Sequence, residues 1–230
     1  FLNQVRANQS KLLINKKWGM TQKVVPQLIY IMVQILNKRA STHPNNCEDN
    51  YWLHETDEFI VGAVFDGCSS GIDSHFASTL FKRLFETEFK YYAGIPDENS
   101  LFLGIRTNLR LIKTQLELRD LHLLSTIIYF TYDKKEKELY VKFFGDGTII
   151  VDGLEFTNDE QNMPEYIGYY VDIPIVDYIN YLSSRPSYRF ENINTFIICS
   201  DGIDSFTNVK NPHIDKSIAK QFLLHSDQLS

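Results

Sequence analysis

The sequence has few cysteines and no excess of basic charge. Its 230 residues include three cysteines, Cys47, Cys68 and Cys199, without the paired spacing of a structural zinc site or a disulfide scaffold. Such sparse use of cysteine is typical of a reducing compartment, so we expect a cytoplasmic protein. Lys and Arg total 23 against 29 Asp and Glu, a formal net charge of −6. This balance argues against nucleic acid as a partner, because its phosphates attract clustered basic residues.

Long apolar runs are also missing. The longest one near the start, residues 24–36, is interrupted by Pro26, Gln27 and Gln34 and is shorter than the ~20 residues needed to span a bilayer. We therefore expect no membrane-spanning segment and no membrane partner. The sequence contains no glycine-rich phosphate loop of known spacing, which disfavours a nucleotide-binding protein. It also contains no internal repeat, which disfavours solenoids and propellers.

The apolar residues that are present, 43% of the chain, predict one α+β domain with antiparallel sheets. Continuous or alternating apolar runs predict strands at residues 51–54, 59–65, 125–132, 139–144, 148–151 and 195–199. Residues 28–33 have strand composition, with a buried helix as the alternative. Apolar residues at three- and four-residue steps predict helices at 73–92 and 101–118, with shorter ones near 175–182 and 216–225. Residues 155–192 are otherwise predicted to be rich in loops.

An Asp-Gly step follows an apolar strand at three places. These are Asp66-Gly67, Asp146-Gly147 and Asp201-Gly202. A carboxylate at the end of a buried strand is held rigidly while it still reaches solvent, and the glycine lets the backbone approach a ligand closely. Each step taken alone is more often only a turn. Together with Asp49 the steps form an acidic set without a basic neighbour in sequence, and Mg²⁺ or Mn²⁺ is the usual counter-charge.

These residues resemble the motifs of the type 2C (PPM) family of metal-dependent protein phosphatases. The segments that carry the resemblance are Glu48-Asp49-Asn50, Val64-Phe65-Asp66-Gly67, Ser125-Thr126, Gly145-Asp146-Gly147 and Ser200-Asp201-Gly202. The resemblance implies a four-layer αββα sandwich of two antiparallel sheets flanked by helices. It also implies hydrolysis of phosphoserine or phosphothreonine in a phosphorylated protein substrate. The reaction would use water activated by two Mn²⁺ or Mg²⁺ ions, with a position for a weaker third ion.

The resemblance further implies roles for individual residues. Asp49, Asp66 and Asp201 would be the catalytic carboxylates. Asp66 would bridge the two metal ions, with the Gly67 carbonyl binding one ion and Asp201 the other. Asp49 would hydrogen-bond water at the metals. Asp146 would help to hold the third ion.

The sequence departs from the family pattern next to these motifs. Cys68-Ser69-Ser70-Gly71 stands where many eukaryotic members have His-Gly-Gly, which points to a bacterial-type or divergent branch. The arginine that commonly precedes the Glu-Asp segment and binds substrate phosphate is absent, and Pro44 stands about where it would fall. His43 is the candidate substitute and Arg39 a more distant one, although a lone histidine in a loop is more often plain surface.

The family pattern also ends differently. Family members close with an acidic pair ahead of a final strand, whereas only Asp227 is available in this part of the sequence. We therefore expect a single domain over residues 1–230 that lacks its C-terminal strand and its last metal-ligand motif. The alternative to an enzyme is a phosphatase-like regulatory or binding module that keeps the sandwich but has lost or reduced activity.

Overall fold

The computed structural model describes residues 5–9, 31–34, 48–68, 73–160 and 163–201. The strands in these residues form two antiparallel sheets of five strands each. The strands are β1 (Val5–Gln9), β2 (Ile31–Gln34), β3 (Asp49–Glu55), β4 (Phe59–Gly67), β5 (Ser125–Asp133), β6 (Glu138–Phe144), β7 (Gly147–Val151), β8 (Leu154–Asn158), β9 (Ser187–Phe190) and β10 (Phe196–Cys199). The first sheet has the order β3-β4-β5-β6-β9, and the second has the order β2-β1-β10-β7-β8.

Strand β4 lies inside the first sheet, between β3 and β5. Its continuous apolar run is buried on both faces, as predicted for a strand covered on both sides. Side chains alternate between the faces, so Phe65 packs toward the helices while Ile60 and Val64 pack toward the second sheet. The two sheets therefore share an apolar core, to which β10 and β5 contribute Phe196 and Phe130 with ring centroids 5.8 Å apart.

Three helices accompany the sheets: α1 (Ser74–Glu88), α2 (Glu98–Gln115) and α3 (Ile175–Ser184). Their apolar stripes contribute to the core on the outer face of the first sheet, where Phe85 of α1 meets Phe102 of α2 edge to face at 5.7 Å. Asp97 caps α2 by accepting the backbone N–H of Ser100 at 2.9 Å, which satisfies one of the free donors of the first turn. None of the helices in the described residues has the length and apolarity required to cross a membrane.

The predicted α+β fold of two antiparallel sheets flanked by helices is confirmed, with shifts of a few residues at element ends. The helix predicted over residues 73–92 becomes α1 followed by a short 3-10 turn, Phe89–Tyr91. The described helices contribute to the core on the outer face of the first sheet, and the helix predicted at residues 216–225 lies outside the described residues. So do residues 28–30 of the first predicted strand, whose remainder overlaps β2.

The prediction of a loop-rich region at residues 155–192 was wrong in part. Besides the expected α3, this region contains β9 and most of β8. Both are edge strands of their sheets, with exposed side chains alternating with half-buried ones. An edge strand with so little apolar burial has no continuous apolar run, so its sequence resembles that of a loop.

Candidate metal centre

Two carboxylates face each other at one end of the first sheet. Asp66 in β4 is paired in register with Asp49 of β3 on one side and with Thr126 of β5 on the other. Because side chains alternate along β4, the Asp66 side chain lies on the same face as Ile60 and Val64, toward the second sheet. The Asp49 side chain is 4% exposed, and its carboxyl group hydrogen-bonds that of Asp66.

Asp66 and Gly67 are the last two residues of β4. Gly67 is paired with Ser125, and its N–H donates to the Glu48 carbonyl at 3.1 Å. The Cys68 N–H donates to the Leu124 carbonyl at the same distance. The Asp-Gly step therefore ends the strand, as predicted, but its two residues are paired members of β4 and not a turn beyond it. Asp66 is thus held by strands on both sides, which fixes its position more firmly than a turn would.

Asp201 adds a third carboxylate from the second sheet. It follows β10 after Ser200, whose buried hydroxyl lies 3.5 Å from Asp49 Oδ1. The side chain of Asp201 is exposed, and its carboxyl group hydrogen-bonds that of Asp66. The two sheets therefore bring Asp49, Asp66 and Asp201 near one another at one end of the sandwich.

Burial and neighbouring negative charge make Asp49 and Asp66 harder to ionise. Burial raises the pKa of Asp66 well above its usual range, and the charges of Asp49 and Asp201 raise it further. Burial likewise raises the pKa of Asp49, with an added contribution from Asp201. A group of buried carboxylates is stable only when protons or a cation offset the repulsion between them.

Asp146 lies at the edge of this group, in the turn between β6 and β7. Its Oδ1 accepts the backbone N–H of Glu160 at 2.6 Å, and the preceding Gly145, at φ +100°, accepts a hydrogen bond from Asn158 Nδ2 at 2.8 Å. Burial raises the pKa of Asp146, and the charges of Glu160 and Asp201 add to this effect. Asp146 therefore fixes the start of the loop that follows β8. It is also close enough to Asp201 for the charge of Asp201 to raise its pKa.

The donor set fits a hard divalent cation, because carboxylate oxygens are the ligands that Mg²⁺ and Mn²⁺ prefer. The set is nevertheless sparse: within residues 48–68, 73–160 and 163–201, no three His, Cys, Asp or Glu side chains are placed to hold a metal ion. Mg²⁺ commonly binds through one or two carboxylates and keeps several waters, so two protein carboxylates can suffice. The metal-binding roles of Asp66, Gly67, Asp201 and Asp146 remain predictions.

Sequence reasoning missed a tyrosine beside the carboxylates. Tyr166, which is 7% exposed, hydrogen-bonds Cys68 through its hydroxyl group. Burial raises the pKa of Tyr166, Cys68 raises it further, and the charges of Asp146 and Asp66 contribute in the same direction. No sequence signal could have identified Tyr166, which lies in an irregular segment one residue before a 3-10 turn, Ile167–Tyr170. Ser200 was quoted only as part of the Asp201 motif.

The other residues that the sequence analysis singled out lie outside the described residues. They are His43, Arg39, Cys47, Gly202 and Asp227. Cys68 is half-buried.

Solved structures of bacterial phosphatases resemble this arrangement of sheets and helices. One is the PP2C phosphatase domain of SpoIIE from Bacillus subtilis with a fragment of its regulatory domain, at a TM-score of 0.51 and 15% identity over 97% of this chain. Another is a mutated bacterial serine phosphatase, at a TM-score of 0.52 and 14% identity over 85% of this chain and 88% of that one. The chain has the type 2C phosphatase fold.

The structure of the serine/threonine phosphatase Stp1 from Staphylococcus aureus is also similar to this chain, at a TM-score of 0.50 and 14% identity over 85% of this chain and 86% of that one. The chain spans 58% of the SpoIIE structure that it matches. No family model and no curated protein matches the sequence. Identities this low support the fold alone, so the activity has to be argued from the site.

Proposed function

We propose that this chain hydrolyses phosphoserine or phosphothreonine in proteins with the help of two Mn²⁺ or Mg²⁺ ions. The observation that carries the proposal is the convergence of Asp49, Asp66 and Asp201 from two sheets at one end of a type 2C fold. Bound divalent ions supply a nucleophilic water at neutral pH and neutralise the phosphoryl oxygens. The chain's own residues must then provide the geometry.

The roles of the carboxylates follow from where each one lies. Asp66, held on both sides by strands, would hold the two ions, and the exposed Asp201 would hold one of them. Asp49, buried and hydrogen-bonded to Asp66, accepts the proton of the attacking water or orients it. Gly67 offers its carbonyl oxygen, and Asp146 offers a carboxylate at the margin for a weaker third ion.

The phosphate group of a substrate needs positive charge beyond the metals. His43 is the residue that we assign to this role, by a charge-assisted hydrogen bond when it is protonated. This assignment rests on the sequence only.

A phosphatase-like binding module without turnover is the second candidate. The observation that favours it is the sparse donor set, since no three His, Cys, Asp or Glu side chains among the described residues are placed to hold a metal ion. Such a module would keep the fold and bind a phosphorylated protein without hydrolysing it. The two candidates differ in whether added metal produces turnover.

The test is hydrolysis of a phosphothreonine peptide by the purified chain, with and without Mn²⁺. We expect activity that depends on Mn²⁺, is abolished by a chelator, and falls by orders of magnitude in Asp201→Asn. Asp57→Asn is the matched control, because Asp57 is an exposed carboxylate in the β3–β4 turn at the opposite end of these strands. Activity that ignores both metal and chelator would contradict the proposal, and peptide binding without hydrolysis would establish the binding module.

A further inference from the structure

A cavity lies on the outer face of the first sheet, against the start of α2. It measures about 460 Å³, which is within the range of pockets for small ligands. Strands β5, β6 and β9 form its floor with Tyr129, Asp133, Tyr140 and Arg189 among other residues. Residues 95–98 form the opposite wall.

This cavity is separate from the carboxylates of the candidate metal centre. Tyr129 belongs to the core on the helix side of the sheet, whereas Asp66 faces the second sheet. Along β5, Thr126 is opposite Asp66, and Asp133 is at the far end opposite Phe59. With a rise of about 3.3 Å per residue, Asp133 lies roughly 23 Å from Thr126.

The cavity contains a buried hydroxyl group without a partner. Tyr129 is 1% exposed, its ring packs against Phe102 at 5.5 Å, and its hydroxyl has no hydrogen-bond partner among the described residues. Other buried tyrosines of this core do have one: Tyr178 donates to the Phe102 carbonyl at 3.3 Å, and Tyr181 donates to the Glu165 carbonyl at 2.7 Å. A buried polar group that is left unpaired calls for an explanation, and a bound ligand supplies one.

The charge of the walls selects the kind of ligand. Four carboxylates line the cavity, and two of them are neutralised: Glu98 pairs with Lys142, and Glu138 pairs with Arg189 at 2.5 Å. Asp97 and Asp133 make no ion pair within the described part of the chain, so two negative charges are left over. Ile95 and Pro96 add an apolar surface beside them.

We propose that this cavity binds an aliphatic ammonium compound. Its nitrogen donates to the Tyr129 hydroxyl oxygen and to the carboxylates of Asp97 and Asp133, which accept neutral donors but make no ion pair among the described residues, while its alkyl chain covers Ile95 and Pro96. A linear diamine carries two ammonium groups, one for each of these two carboxylates. The proposal does not depend on the phosphatase activity, because the cavity shares no residue with the carboxylates of the metal centre.

The experiment is a titration of the ¹⁵N-labelled chain with 1,4-diaminobutane, followed by NMR. The neutral compound 1,4-butanediol, of similar length, is the control ligand. We expect saturable shifts from the diamine at residues 95–98 and 129–133, and none from the diol. Hydrogen bonds to charged groups contribute enough that Tyr129→Phe should weaken binding about tenfold.

Three further variants make the result decisive. Tyr178→Phe removes a hydroxyl of the same core that already has a partner, and it should leave the affinity unchanged. Asp133→Asn removes a wall charge but keeps an oxygen for the Lys135 and Glu136 N–H groups that Asp133 Oδ1 now accepts at 2.8 and 2.9 Å. It should weaken binding even if Tyr129→Phe fails to fold. Asp66→Asn should leave binding intact.

Equal shifts from the diol and the diamine would overturn the proposal. So would shifts outside these residues, or an unchanged affinity in both Tyr129→Phe and Asp133→Asn.

Discussion

The substitution Asp66→Asn should make the metal-free protein more stable while it removes the stabilisation by metal. Asp66 is hydrogen-bonded to two other carboxyl groups, Asp49 and Asp201, and its pKa is raised first by burial and then by their charges. Asparagine has nearly the same shape but no charge. The cost of crowding three carboxylates is therefore reduced, and so is the affinity for a divalent cation.

The size of the effect follows from Coulomb's law. Two unit charges about 4 Å apart repel by about 4 kcal/mol at an effective dielectric constant near 20. Shared protons relieve most of this repulsion in the wild type, so we expect a gain of about 1–3 kcal/mol in the variant. Mn²⁺ at a hundred times its Kd should stabilise the wild type by about 2.7 kcal/mol. In a chain of this size that corresponds to a rise in Tm of about 5–10 °C.

The stability that the metal-free protein gains from Asp66→Asn should depend on pH. Because the folded-state pKa of Asp66 is raised, its contribution to the stability of the metal-free wild type is fully present below the unfolded pKa of about 3.9 and is lost as pH rises through the folded pKa. Asparagine does not titrate. The advantage of the variant should therefore be small in acid and largest at neutral pH and above.

Thermal unfolding of both proteins in chelator and in Mn²⁺, at several pH values, measures all of these quantities. The expected result is a crossover: the variant is more stable in chelator, and the wild type gains more from Mn²⁺. Asp57→Asn serves as the control and should follow the wild type. A variant that is less stable than the wild type in chelator, or one that gains as much from Mn²⁺, would refute the reasoning.

The remaining predictions concern the scaffold. Gly62→Ala should lower the free energy of unfolding by about 1–3 kcal/mol, because a Cβ there would lie 2.6 Å from Phe130 Cζ; Gly94→Ala, with open space around it, should change little. Asp97→Ala should cost about 1 kcal/mol through loss of the α2 cap, whereas Asp97→Asn keeps a capping oxygen and should cost less. Lys142→Ala should cost about 3–5 kcal/mol, since it leaves Glu98 without its buried partner. Chemical denaturation of each pair measures these differences.

The sequence predicted the parts of the fold that are strongly patterned. Strand β4 and helices α1 and α2 bury many apolar side chains, and their periodicity is therefore visible in the residues themselves. The edge strands β8 and β9 bury few side chains, so their hydrogen bonds to a neighbouring strand left no apolar pattern.

The candidate site likewise has features that the sequence could predict and features that it could not. Asp66 and Asp201 follow apolar strands, so their placement at strand ends could be read from the sequence. The extension of β4 through Gly67 could not, because it depends on the hydrogen bond that the Gly67 N–H donates to the Glu48 carbonyl and on the pairing with Ser125. Tyr166, in an irregular segment far along the chain, hydrogen-bonds Cys68 and is affected by the charges of Asp146 and Asp66, an arrangement that only the tertiary fold creates.

An anomalous difference map from crystals of this chain soaked in Mn²⁺ tests the central claim most directly. The account predicts manganese peaks between the carboxylates of Asp66 and Asp201, with Asp49 within reach of a water on the metal. Peaks only at other acidic surfaces, with Asp49, Asp66 and Asp201 still hydrogen-bonded to one another at neutral pH, would contradict it.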